Sequence, residues 1–288
     1  MQHPQTATPP TCSPRLRQPW TLIAPSQAGQ FHAAALIYRL GLVKTGDLVA
    51  DLPLKLADAL ALKGSPMVQR ANLDELRKAD VLAGGTAAAT DAGLDPLLHL
   101  VGRTNVRIDD KGGPADIKDV GSLIDRGAQT VTSSTGELKL DYGRGVLTLN
   151  APAAQGVSGD LRLAGPVELK DLSIVSNLEV GHIVVVALDG QPLAASSRIL
   201  VQVMTEDKPA GFTTEPAGEG VLRITDIGHD PWLIREPQGT VRFKRPDAAR
   251  LKVTALDFNG YPKATAGMAA ELRLRPDTVY YLITPAGL

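Results

Sequence analysis

Carboxylate side chains recur through the second half of this 288-residue sequence, where pairs of them could serve as acid and base. Hydrolysis of a glycosidic bond uses two such groups, one protonated and one ionised, about 5–10 Å apart. Asp230 and Glu236, which flank Trp232, form the candidate catalytic pair. Acids that alternate with apolar residues also predict the solvent-facing side of a strand, and this alternative stands for both residues.

Aromatic residues make up only 4% of the chain, so those that lie beside polar residues stand out. The apolar face of a sugar stacks on an aromatic ring while its hydroxyl groups bind polar side chains. The candidates for such glycan contacts are Tyr142 with Arg144, Trp232, and Phe258 with Tyr261. For Trp232 we favour the alternative, a core ring that seals two sheets.

Other reaction classes lack their motifs in this sequence. No G-x-S-x-G motif occurs, since Gly156-Val157-Ser158-Gly159 has the wrong spacing, and His182 opens an apolar strand, where we expect a structural role. The five histidines are scattered and the one cysteine is Cys12, so we predict neither a metal site nor a disulfide framework. Glycine-rich segments match no P-loop or dinucleotide fingerprint, and we predict no cofactor.

The charge and hydropathy of the chain limit its partners. A net charge of −1 gives no reason to expect nucleic acid or an anionic membrane surface. No apolar run approaches the roughly 18–20 residues of a membrane span. Residues 1–19 lack the apolar core of a signal peptide and predict a disordered leader. We therefore expect a soluble chain, secreted or periplasmic if it belongs to a larger enzyme.

The clearest local pattern, from Ser133 to Pro152, predicts a β-hairpin. Residues 137–141 alternate polar with apolar side chains, and residues 146–149 resume the alternation. Gly143-Arg144-Gly145 interrupts the pattern and predicts a three-residue turn.

After this hairpin, strand patterns recur at the spacing of about 8–12 residues that is typical of a β-sandwich. His182–Leu188 is apolar on both faces, as in a central strand, and Leu251–Leu256 is followed by the turn-forming pair Asn259-Gly260. The other predicted strands are Val157–Leu163, Val167–Val175, Arg198–Thr205, Val221–Thr225, Trp232–Glu236, Gly239–Lys244, Ala270–Leu274 and Thr278–Ile283. Residues 131–288 are thus predicted to form a mainly β, two-sheet antiparallel and jelly-roll-like β-sandwich.

Residues 20–130 predict a smaller, irregular α/β segment. This segment has too few strands for a doubly wound sheet and too many helix breakers for a bundle, so we expect it to pack against a neighbour. Its predicted elements are helices at Gln30–Leu40 (with Gly41 as C-cap), Leu54–Leu62 and Leu73–Ala79, and a strand at Leu48–Leu52 that ends before Pro53.

Several segments together carry a family resemblance. They are S-S-T-G-E-L-K-L-D from Ser133, G-V-L-T-L-N-A-P-A-A-Q-G from Gly145, V-E-L-K-D-L-S-I from Val167, V-V-A-L-D-G-Q-P-L-A-A-S-S-R-I-L from Val185, D-P-W-L-I-R-E from Asp230 and A-L-D-F-N-G-Y-P from Ala255. This ordered set resembles the C-terminal β-sandwich of large bacterial glycoside hydrolases of the cellulase and β-galactosidase-like kind. Residues 34–51 resemble the end of the (β/α)8 barrel that precedes that sandwich. The sequence has no Asn-Glu-Pro motif, so the family's catalytic carboxylates are assigned to no position.

The resemblance implies a carbohydrate-active protein, a sandwich module that braces a catalytic domain or binds a polysaccharide or oligosaccharide. One alternative is a genuine glycoside hydrolase, with its site in the sandwich groove or at the junction with residues 20–130. A second alternative is a structural interaction module without a ligand. A face left uncovered by a missing barrel would favour association with that barrel or self-association.

Overall fold

The computed structural model describes residues 5–7, 25–60, 95, 97–218 and 221–287. The chain divides into two compact units, one formed by Met1–Lys44 and Glu137–Leu288 and the other by Thr45–Gly136. This division differs from the predicted boundary after residue 130, because the first helix groups with the sandwich. Within the predicted leader, residues 5–7 form a strand. The rest of the leader and the helix predicted at Leu73–Ala79 lie outside the described residues.

The helices are α1 (Pro25–Leu40), α2 (Leu56–Leu60), α3 (Leu98–Val101) and α4 (Leu161–Ala164). The strands are β1 (Gln5–Ala7), β2 (Leu48–Lys55), β3 (Arg103–Asp109), β4 (Asp116–Ile117), β5 (Ile124–Asp125), β6 (Thr130–Thr132), β7 (Leu138–Asp141), β8 (Val146–Asn150), β9 (Ala154–Gly159), β10 (Val167–Glu168), β11 (Leu172–Val175), β12 (Gly181–Ala187), β13 (Ile199–Thr205), β14 (Asp207–Ala210), β15 (Thr213–Gly218), β16 (Val221–Asp226), β17 (His229–Arg235), β18 (Thr240–Phe243), β19 (Leu251–Leu256), β20 (Pro262–Met268), β21 (Leu272–Arg273) and β22 (Tyr280–Pro285). Within the described part of the chain, no helix is both long and apolar enough to cross a membrane.

The larger unit is a β-sandwich. Its main sheet has the strand order β20-β19-β22-β13-β12-β9-β8-β7, with antiparallel pairing throughout. The second sheet has the antiparallel order β10-β11-β18-β21. Ile174 and Val241 of the second sheet and Val185 and Val203 of the main sheet are all buried in one core. The predicted mainly β, two-sheet antiparallel sandwich is confirmed.

The hairpin at β7 and β8 sets the register at one edge of the main sheet. Leu138 pairs with Leu149 and Asp141 with Val146, so four residues rather than the predicted three form the turn. The Asp141 carboxylate accepts a 2.9 Å hydrogen bond from the Arg144 backbone N–H. Gly145 closes the turn at φ +67°, a conformation that favours glycine.

Two predicted strands are shorter than their apolar runs. β9 ends at Gly159 rather than Leu163, because the Asp160 carboxylate caps α4 by accepting hydrogen bonds from the backbone N–H groups of Arg162 and Leu163. The predicted strand Val167–Val175 is instead the β10–β11 hairpin. Helix capping and tight turns therefore override the apolar pattern at both places.

Helix α1 covers the face of the main sheet from which Gln202 and Met204 project. Gln202 accepts a hydrogen bond from the Ala33 N–H (3.0 Å) and donates one to the Gln30 carbonyl (3.2 Å). Gly29 also meets this face, since a Cβ built there would lie 2.1 Å from the Met204 methyl group. The helix begins at Pro25, earlier than predicted, and ends as predicted at Gly41, whose φ is +62°.

A third sheet, in the order β1-β17-β14, and the β15–β16 hairpin complete the larger unit. Both strands of the hairpin are exposed along their length, and Leu222 and Ile224 are 63% and 55% exposed. The sequence patterns miss β14, β15 and β20, each of which contains a proline. Proline lowers the strand signal but is compatible with strand ends and sheet edges.

In the smaller unit, β2 pairs in parallel with β3 and antiparallel with β4, and β5 pairs with β6. β2 runs through Pro53 instead of ending before it. The Lys118 N–H donates to the Val49 carbonyl, so the backbone N–H and C=O groups of the odd-numbered residues of β2 point toward the β4 side. β4 pairs only with Ala50 and Asp51, and the missing N–H of Pro53 therefore faces no described strand.

Candidate functional site

The β19–β20 turn presents Tyr261 to solvent at one end of the main sheet. Asp257 Oδ1 accepts hydrogen bonds from the backbone N–H groups of Asn259 (2.9 Å) and Tyr261 (2.8 Å). The Asp257 N–H donates to the Tyr261 carbonyl, and Gly260 has φ +88°. These bonds fix the turn, and the Tyr261 residue remains 69% exposed.

Tyr280 on β22 lies beneath this turn and joins it to helix α1. Its ring is 5.3 Å from the His32 ring in an edge-on arrangement and 5.9 Å from the tilted Phe258 ring. Its hydroxyl donates a 2.9 Å hydrogen bond to the Gly29 carbonyl. Burial raises the pKa of Tyr280 to about 12, so the hydroxyl stays a donor at neutral pH. We call His32, Phe258, Tyr261 and Tyr280 the aromatic corner.

Polar groups flank the aromatic corner. Lys263 Nζ lies 2.8 Å from the Asp277 carboxylate, and Arg275 Nε lies 3.3 Å from it. The Lys263 hydrogen bond is the main cause that lowers the pKa of Asp277 to about 2. An exposed ring beside fixed donors and acceptors is the arrangement that sugar binding uses.

The other aromatic candidate, Tyr142 with Arg144, lies in the β7–β8 turn. Tyr142 is half-buried, and Arg144 Nε donates a 2.7 Å hydrogen bond to Asp141. Strands β22, β13, β12 and β9 separate β19 from β8, so about 24 Å lies between the two turns at about 4.8 Å per strand. The structure therefore does not bring Tyr142 and Tyr261 into one site.

Trp232 is fully buried on β17. Its burial agrees with the favoured interpretation of a core ring, but it lies in the third sheet, opposite Pro209 of β14, and not in the core between the two sandwich sheets. A ring with no exposed surface has no face to offer a sugar in this structure.

Asp230 and Glu236 lie at opposite ends of β17. Asp230 is exposed near its start, and Glu236 follows its last residue. The register with β14 shifts near Asp230, but the regular part of the strand from Trp232 to Glu236 alone spans about 13 Å at about 3.3 Å per residue. This exceeds the separation of about 5–10 Å between the two carboxyl groups of a glycosidase.

The pKa shifts of the carboxyl groups all have the same sign. Every carboxyl of the described residues whose pKa departs from its ordinary value has it lowered, as in Asp51, Asp141 and Asp160, where hydrogen bonds from arginine are the main cause. A general acid that works near neutral pH needs a raised pKa instead. These groups can pair with cations or accept hydrogen bonds, but they hold no proton to donate at neutral pH.

A serine–histidine pair that the sequence analysis did not identify spans β9 and β12. Register places Ser158 opposite His182, and the Ser158 hydroxyl is hydrogen-bonded to His182 Nδ1. Burial lowers the pKa of His182, which favours the neutral ring. Within the described residues no acidic side chain bonds to that ring, so the orienting member of a triad is absent there. Knowledge of the β9–β12 pairing would have been the signal for this contact.

No protein-family model, curated protein or solved structure matches this chain. The resemblance to glycoside hydrolases therefore rests on the ordered sequence segments alone.

Proposed function

We propose that this chain is a non-catalytic β-sandwich module that binds glycan through the aromatic corner. The observation that carries the proposal is the exposed Tyr261 side chain in the Asp257-anchored turn, which also contains Phe258, a ring in contact with Tyr280. Such a ring offers an apolar face for a pyranose, and the neighbouring polar groups can bind hydroxyls.

The carboxyl groups support binding rather than cleavage. Asp230 and Glu236 lie at opposite ends of β17, and the shifted carboxyls of the described residues have lowered pKa values. Bracing of a catalytic domain and self-association are further roles that stay predictions.

The test of binding is affinity electrophoresis and calorimetry of the full chain with a panel of polysaccharides. Tyr261→Ala removes the stacking ring and is expected to weaken binding about tenfold, or about 1.4 kcal/mol. Tyr38→Ala is the matched control, because Tyr38 is 88% exposed on α1 and lies outside the aromatic corner. Equal binding by the two variants would remove the aromatic corner from the proposal.

Catalysis is tested in parallel by release of reducing sugar from the same polysaccharides. We expect no turnover from purified protein. Turnover that Asp230→Asn or Glu236→Gln abolishes would replace the binding proposal with the glycoside hydrolase alternative.

A further inference from the structure

Asp257, in the same turn as Tyr261, has one carboxylate oxygen that the turn itself does not use. Both backbone N–H groups of the turn, from Asn259 and Tyr261, bond to Asp257 Oδ1. Within the described residues, Oδ2 accepts no hydrogen bond from the protein, and Asp257 is only half-buried. An ionised oxygen with free lone pairs accepts hydrogen bonds from hydroxyl groups.

Asn259 adds a second polar group to the same turn. Its residue is exposed, and its side-chain amide bonds to none of the described residues. The amide can donate and accept at once. A carboxylate and an amide two residues apart in one turn match a sugar that carries two adjacent free hydroxyls.

The cations near the aromatic corner are already paired. Lys263 and Arg275 both contact the Asp277 carboxylate. Both positive charges are therefore directed at Asp277, and the carboxylate of Asp257 is left as an unbalanced negative charge in the turn. A ligand carboxylate would meet Asp257 as a like charge, while Lys263 and Arg275 are already paired with Asp277.

We infer that the aromatic corner takes a neutral glycan with adjacent free hydroxyls and rejects polyuronates, with Asp257 as the group that makes this choice. The inference rests on the proposed glycan-binding function and specifies the class of ligand at that same site. Tyr261 supplies the stacking face, and Asp257 and Asn259 bind the hydroxyls.

The experiment measures binding of the full chain at pH 8 to two neutral probes, barley β-glucan and galactomannan, and two anionic probes, polygalacturonate and alginate. We expect binding to a neutral probe that Tyr261→Ala weakens, and none to the anionic probes. Because no ion pair forms with the ligand, affinity should change less than about twofold between about 50 mM and about 500 mM salt.

Asp257→Asn tests the selecting group. Asparagine keeps an oxygen for the turn but replaces the free acceptor with a donor, so neutral-glycan affinity should fall about fivefold. Asn259→Ala, which leaves the Asp257 turn bonds intact, should weaken binding about threefold and confirms the second contact without risk to the turn.

The outcomes separate this inference from the function on which it rests. Tyr261-dependent binding of polygalacturonate or alginate would overturn the neutral-glycan inference and leave glycan binding in place. Unchanged neutral-glycan affinity in a folded Asp257→Asn protein would also overturn it. Absence of binding to all four probes would overturn both.

Discussion

The hydroxyl of Tyr280 connects helix α1 to the main sheet, and Tyr280→Phe tests how much this bond stabilises the sandwich. The change keeps the ring contacts with His32 and Phe258 but removes the 2.9 Å hydrogen bond to the Gly29 carbonyl and the 3.1 Å hydrogen bond to His32 Nδ1. Tyr280 is 4% exposed, so water replaces the lost bond poorly. Removal of one partner from a buried hydrogen bond costs about 1–2 kcal/mol. At about 2–4 °C per kcal/mol for a unit of this size, Tm should fall by about 2–8 °C.

The assay is urea unfolding followed by circular dichroism, with hydrogen exchange over Pro25–Leu40 as a local measure. Tyr280→Phe should lower the midpoint with an unchanged slope and speed exchange in α1. Tyr38→Phe is the control, because Tyr38 is 88% exposed and its hydroxyl is solvated. A Tyr280→Phe protein within about 0.3 kcal/mol of wild type would refute this account of how α1 is held.

The raised pKa of the Tyr280 hydroxyl also predicts how stability changes at alkaline pH. Burial raises the pKa of both Tyr280 and Tyr281 from 10.0 to about 12. A raised folded-state pKa gives stability that is complete below pH 10 and is lost as pH rises through about 12. Tyr280→Phe removes one of the two titrating groups, so its unfolding free energy should fall less steeply between pH 10 and 12. Parallel pH profiles would contradict the burial of the Tyr280 hydroxyl.

Three further substitutions have defined outcomes. Gly159→Ala places a Cβ 1.9 Å from the Gly145 carbonyl oxygen at φ +131° and should lower the unfolding free energy by about 3 kcal/mol or more. Gly145→Ala, whose Cβ would enter open space, should lower it by about 1–2 kcal/mol. Equal melting temperatures of the two variants would contradict the close approach at Gly159. Arg235→Met removes the 2.9 Å bond to Glu206 and should cost about 1–2 kcal/mol in urea unfolding, and an unchanged midpoint would show that this ion pair contributes nothing. Burial opposes ionisation of Asp189, but hydrogen bonds from serine side chains and backbone N–H groups lower its pKa to about 2. The unfolding free energy should therefore fall as pH drops from about 4 to about 2, and Asp189→Asn should make this fall less steep. A fall as steep as that of wild type would refute this account.

Local sequence patterns determined the strands that a few neighbouring residues define. Leu251–Leu256 is found with the predicted bounds, and the β7–β8 hairpin and the glycine cap of α1 lie where their turn residues place them. Alternation and turn chemistry act over two to six residues, so they are readable without knowledge of the rest of the fold. The same rules fail at β14 and β20, where proline lowers the strand signal but a neighbouring strand supplies the pairing.

Only the tertiary structure decided which distant residues meet. The sequence identified Phe258 as a ring candidate but gave no reason to place it against Tyr280, or Tyr280 against His32, which lie far apart in the chain. That contact needs β22 to lie between β13 and β19 and α1 to lie on the same sheet face. The strand order of the main sheet also determines that Tyr142 and Tyr261 lie far apart. Strand order follows from burial and pairing summed over the whole sandwich, a sum that no local pattern contains.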